Sequence, residues 1–133
     1  MAMKGKNNAV NETLSINSIF KRALTDKSYE SELAKSYELE GYFEKLNSDI
    51  EEEVFLSVIN KSKFHKNMRN ILFDAKYYII TERNVTDKVF YALLDLAKKR
   101  NCSEIYVALC HAKLKREHID YLKSLNLDPS YFY

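Results

Sequence analysis

The side chains best placed for chemistry in this sequence are Cys110, His111 and His118, with Cys102 upstream. Thiolates and imidazoles bind zinc, and a Cys–His pair can act as an activated nucleophile. A structural zinc site draws on four ligands, usually as two close pairs, and here only Cys110 and His111 are close. The surrounding run IYVALC, residues 105–110, predicts a strand, and adjacent strand residues point to opposite faces. That separates the thiol from the imidazole. The expectation is no catalytic residue and no metal site, with both cysteines acting as small hydrophobes.

Other clusters carry weaker chemistry. Asp49, Glu51, Glu52 and Glu53 read as the solvated start of a helix rather than an acid–base site. Residues 61–69 (KSKFHKNMR) are basic and carry Phe64. They could hold single-stranded nucleic acid by charge and stacking, or form a solvated loop. Lys113, Lys115 and Arg116 sit at a helix start, where positive charge opposes the helix dipole, which suggests a partner surface. The only glycines are Gly5 and Gly41, so the phosphate loop and the dinucleotide fingerprint are missing and no cofactor is expected.

The elements that must position these residues fall into two halves. In the first, Ile16, Ile19 and Phe20 predict a helix at 15–23, and Leu33, Tyr37, Phe43 and Leu46 predict another at 29–46. In the second, strands are expected at 54–59, 71–73, 77–81 and 105–110, with a final short one at 130–133. Helices are expected at 87–100, capped by Thr86, and at 114–125. Phe90, Leu93, Leu94, Ile105 and Val107 are assigned to the core. A strand–helix–strand unit of this length normally makes a right-handed parallel crossover. The expected fold class is therefore α/β (α+β), a small mixed β-sheet with packed helices, preceded by a helical N-terminal half. The expected divisions are a disordered tail at 1–12, a helical region at 13–48 and an α/β domain at 49–133.

Composition bounds the function. The 133 residues are 46% apolar, with 10 Tyr and 7 Phe, enough for one core. A net charge of +2 gives no global field to attract nucleic acid or an anionic membrane. Two cysteines make no disulfide framework, and no apolar run is long enough to span a bilayer. The expected location is cytoplasmic, with the nucleus also open.

Residues 67–127 resemble the ornithine decarboxylase antizyme family. Asn67, Arg69 and Ile71 lead toward Tyr77-Tyr78-Ile79, as in that family. Phe90-Tyr91-Ala92-Leu93-Leu94-Asp95-Leu96-Ala97 resembles its main helix. Cys110, His111, Lys113, Arg116 and Glu117 follow in the family's order. The resemblance implies an acetyltransferase-like fold without catalysis. The implied partner is ornithine decarboxylase, blocked from dimerising and delivered for degradation, which would involve the proteasome. It places Lys88 and Asp95 at the contact, with Lys98, Lys99, Lys113 and Arg116 as charged neighbours. Lys98 and Lys99 reverse the acidic charge found there in the family, and Asp87 holds the place of its basic residue.

The sequence-based expectation is thus a non-catalytic protein that binds and inhibits ornithine decarboxylase. The alternatives are a nucleic-acid-binding protein using residues 61–69, and an enzyme of acetyltransferase-like fold.

Overall fold

The computed structural model describes residues 14–133, so the tail expected at 1–12 lies outside the described residues. Eight α-helices fill the described chain, and no strand is formed in it. They are α1 (Ile16–Thr25), α2 (Lys27–Ala34), α3 (Leu39–Glu44), α4 (Glu52–Ser62), α5 (Lys66–Ile79), α6 (Asp87–Arg100), α7 (Ser103–Cys110) and α8 (Arg116–Ser124). A 3₁₀ turn at Pro129–Phe132 follows. The expected mixed sheet is therefore overturned: the fold is all-α.

The reason lies in the spacing of the buried positions. In α4, Val54, Phe55, Val58 and Ile59 are buried while Ser57 and Asn60 face water, a helical pattern inside a run that also suits a strand. In α5, Met68, Ile71, Leu72, Ala75 and Ile79 recur at three- and four-residue steps. No Gly or Pro interrupts them, so the two expected strands and the bend at Asp74-Ala75 merge into one helix. In α7, Ile105, Ala108 and Leu109 face inward, and the expected buried strand is a third helix. Val107, expected in the core, is only half-buried, whereas Phe90, Leu93, Leu94 and Ile105 are buried. At the C-terminus, Pro129 and the Asp128 carboxylate, which accepts from the Ser130 amide at 2.9 Å, make a turn in place of the last strand.

The helices expected on amphipathic grounds are present, with one division. Ser15 and Ser18 form a reciprocal capping box at the start of α1. The Thr86 hydroxyl accepts from the Val89 amide to start α6, which ends at Asn101 in the left-handed conformation, φ 52°. The single helix expected at 29–46 breaks into α2 and α3 at the turn around Ser36 and Tyr37.

The helices stack in two layers. α4 packs against both α1 and α6, and α5 packs against α2, α3 and α7. The front layer is thus α1, α4 and α6, and the back layer is α2 with α3, then α5, then α7. α8 extends the front layer beside α6: His118 stacks on Phe90 with ring centroids 4.1 Å apart, and Lys98 Nζ donates to Tyr121 Oη at 3.3 Å. The segments leading into the front helices bond side by side. Ile16 N–H donates to Asn47 O at 2.9 Å, Arg83 Nη1 to Ile50 O at 2.6 Å, and Val85 N–H to Lys113 O at 3.2 Å. Parallel bridges join Ser15 to Asn47 and Asn84 to Lys113. Each helix pair meets its neighbours, as in helical-repeat stacks. One apolar core runs from Ile16 to Leu122, across the boundary at 48/49.

One ion pair is built into this packing. Glu30 of α2 is 6% exposed, and its Oε2 lies 2.9 Å from Lys61 Nζ of α4. The atoms are close but poorly aligned, so that oxygen has charge contact without a directed hydrogen bond. Removing one partner strands a buried charge. Lys61→Ala is expected to cost about 3 kcal/mol in urea unfolding, whereas Glu30→Leu with Lys61→Met restores most of that loss.

Candidate functional site

The turn between α4 and α5 is held in place from three sides. Ser62 Oγ donates to Val58 O at 2.7 Å, ending α4. Arg69 Nε donates to Ser62 O at 3.0 Å from α5. Arg100 Nε donates to Lys63 O at 2.6 Å from the end of α6, and Lys63 Nζ pairs with the Asp95 carboxylate. The turn is therefore a fixed platform rather than a loose loop. Phe64 projects from it, 65% exposed, with Lys99 Nζ 4.9 Å from its ring centroid.

These bonds gather two basic stretches that lie far apart in sequence. His65 and Lys66 follow Phe64 in the chain and Lys99 lies over its ring, all exposed, while Lys98 reaches away to Tyr121 of α8. The carbonyl ends of α4 and α6 lie here, so cations are favourable at this edge. The hydrogen bond and charge of Lys63 hold the Asp95 carboxyl below the usual carboxylate range. Residues 61–69, expected as a loop, are instead the end of α4, this turn and the start of α5.

Of the six expected partner contacts, two converge here, Asp95 and Lys99, while Lys98 of the same helix turn reaches to Tyr121 of α8. Lys88 lies about 10 Å along α6 from Asp95, at a 1.5 Å rise per residue. Lys113 and Arg116 stand at the opposite edge. The Lys113 carbonyl accepts from Val85, and Arg116 faces Asp120 of its own helix at 3.8 Å. The six residues do not form one surface.

That opposite edge carries an interaction with no sequence signal. His118, 1% exposed, places Nε2 2.7 Å from Asp87 Oδ1, which Lys115 Nζ also approaches at 3.3 Å. His118 Nδ1 is buried without a hydrogen-bond partner. This contact ties α8 to the start of α6. The thiols are poor nucleophiles by environment: burial pushes Cys110 up to about 11 and raises Cys102 as well. No group of three metal-capable side chains comes together among the described residues.

A groove of about 830 Å³ lies between α2 and α3, lined by Tyr29, Leu33, Leu39 and Tyr42, with Glu32 and Glu44 also on its lining. Sequence reading missed it, because it depends on the break between two helices that had been read as one. The fold and its edges thus define a class, a two-layer helix-pair stack with a fixed basic edge. Compared with known protein families, curated proteins and solved structures, the chain matches none. No helix among the described residues is long and apolar enough to cross a membrane.

Hydrogen bonds from His118 and then Lys115 hold the Asp87 carboxyl below its ordinary value of 3.8. A depressed carboxyl stabilises fully above that ordinary value, and the contribution is lost as pH falls through the lower folded value. Acidification from about pH 5 to about pH 2 should therefore release α8 before the rest of the stack. Amide hydrogen exchange should show α8 losing protection ahead of α4, and in Asp87→Asn at neutral pH α8 should already be less protected.

Proposed function

We propose that this chain is a protein-binding module that grips an acidic, partly apolar segment of a partner at the basic edge around Phe64. The observation that carries the reading is the convergence of the 62–65 turn and the last turn of α6 on one exposed aromatic ring. A ring held 65% exposed is an anchor without a pocket of its own. The lysines around it supply steering and register for a negatively charged segment. The fixed turn lowers the ordering cost of binding, since its backbone is already held.

Ornithine decarboxylase is the named partner to try first, on the sequence resemblance alone. The fold that the resemblance implied is replaced by helices, so no contact map is carried over from it. Titration of this protein into active decarboxylase, followed by activity and sedimentation, tests that partner directly. Stoichiometric inhibition with splitting of the dimer would identify it. No complex would remove the decarboxylase and leave the basic edge to another protein.

A second reading, single-stranded nucleic acid stacked on Phe64, is favoured by the same exposed ring beside Lys99. Charge argues for the protein partner. Lys63 is engaged by Asp95, and Arg69 and Arg100 by backbone carbonyls. Lys98 donates to Tyr121, so Lys66 and Lys99 are left for phosphates, which gives a salt slope of only about −1.4 for a single strand.

With a fluorescent peptide of alternating Glu and Leu as probe, Phe64→Ala and Lys99→Glu should each weaken binding about tenfold, about 1.4 kcal/mol. Lys88→Ala should leave it within about twofold, a change too small to mark an interface contact. Unchanged affinity in Phe64→Ala would sink the proposal, and tighter binding of an oligothymidylate than of the peptide would favour the second reading.

A further inference from the structure

The α2–α3 groove is the reverse of the Phe64 edge in both shape and charge. Its walls are aromatic and aliphatic, from Tyr29, Leu33, Leu39 and Tyr42. Glu32, Glu38 and Glu44 are exposed along it, and Lys45 is the one cation on its lining. None of those three carboxylates has a cationic partner among the described residues. On α5, which packs against α2 and α3, burial raises the Tyr78 hydroxyl and the Asp74 carboxyl; the charge of Glu40 raises both, and that of Glu44 raises Tyr78. The side is thus both apolar and uncompensated in negative charge.

We propose that this groove receives the Phe64 turn of a second copy of the chain, joining molecules head to tail. The inference rests on the reading of the Phe64 edge as a binding surface, and it names that surface's partner. The turn presents what the groove lacks: a projecting side chain, Phe64, with the cations Lys66 and Lys99 beside it. The groove's volume of about 830 Å³ lies in the range that accepts a drug-sized group, ample for a phenyl ring with its flanking residues. The turn cannot reach the groove of its own chain, because Arg69, Arg100 and the Lys63–Asp95 pair fix it to α5 and α6. Only another molecule can bring the two surfaces together. Such a contact is heterologous, with different patches on the two copies, so it builds chains or closed rings. One turn in one groove buries less than a standard interface, so the association is weak and concentration-dependent.

The glycine at 41 gives a clean way to block the groove. It lines the groove, and a Cβ built there meets no atom within 4 Å. Gly41→Ala should leave the groove open and the helix slightly firmer, whereas Gly41→Trp should fill the groove without disturbing the core. Sedimentation of the wild-type protein from micromolar to millimolar concentration at low salt should show growing assemblies that dissolve at high salt. Phe64→Ala and Gly41→Trp should each be monomeric alone. Mixed together, they should form a 1:1 heterodimer that grows no further, since one retains the groove and the other the turn. Gly41→Ala should assemble like wild type.

A wild-type protein that stays monomeric throughout, association that survives in both variants, or a mixture that stays monomeric would each overturn the proposal. The Glu/Leu peptide, titrated into the same samples, separates this failure from failure of the binding surface itself. Peptide binding that persists in Gly41→Trp while the wild type stays monomeric overturns only the choice of a second copy. No peptide binding and no association overturn both.

Discussion

The front helices α1, α4, α6 and α8 all begin at one edge of the molecule, because the segments leading into them are bonded side by side. The rest of the structure depends on that alignment. Four parallel helices carry four parallel dipoles, and like ends placed together repel. The sequence offsets this with acids where the helices start and bases where they finish. Glu51 leans across to Asn17 and to Lys21, at 2.9 and 2.8 Å, near the start of α1, which has no acid of its own in its first turn. Glu52 and Glu53 open α4, Asp87 opens α6 and Glu117 opens α8. Lys61, then Lys98, Lys99 and Arg100, then Lys123 close them. The helix-start edge also carries Lys113, Lys115 and Arg116, so its charge is mixed, whereas bases prevail where the helices finish. The basic edge around Phe64 is a by-product of helix alignment.

At the same edge, the residues that stabilise the fold also shape the proposed binding surface. Arg100 and Lys63 close the end of α6 onto the turn below it, which anchors the turn as well as charging it. Lys99 covers one face of Phe64 and leaves most of the ring to solvent. Glu30 and Lys61 lock α2 onto α4 a few residues before the turn, so the groove wall and the basic platform belong to one rigid frame. Exposing a phenyl ring forgoes burial worth up to about 2–3 kcal/mol, and the frame must supply that elsewhere.

Helix α6 was legible in full, because Thr86, the apolar stripe from Val89 to Ala97 and the basic last turn agree on one element. The acids at 49–53 were read as a solvated helix start, although the run at 54–59 behind them was read as a strand. The strands were misread where local composition and helical spacing support different elements. Val54, Val58 and Ile59 have the branched side chains of a strand, and residues 105–110 have the unbroken apolar character of a buried one. What decided these segments was contact with neighbouring helices, which no window of six residues contains. The site was half legible. Basic residues at 61–69 and at 98–100 were each visible, but their meeting was not, because it rests on Arg100 reaching the Lys63 carbonyl. The pairing of His118 with Asp87 spans the whole of α6 and α7, and nothing at either position announces it.

Among the described residues, the molecule makes its main contacts between each helix pair and its neighbours. Its contacts are mostly between adjoining elements, a topology that folds quickly and in which any segment can serve as the nucleus. Under tension such a stack yields pair by pair rather than all at once. A pull on the C-terminus would first peel the 3₁₀ turn from α7 and then α8, whose ties include the His118 and Tyr121 side chains, and the turn bearing Phe64 would keep its shape until the central pairs gave way.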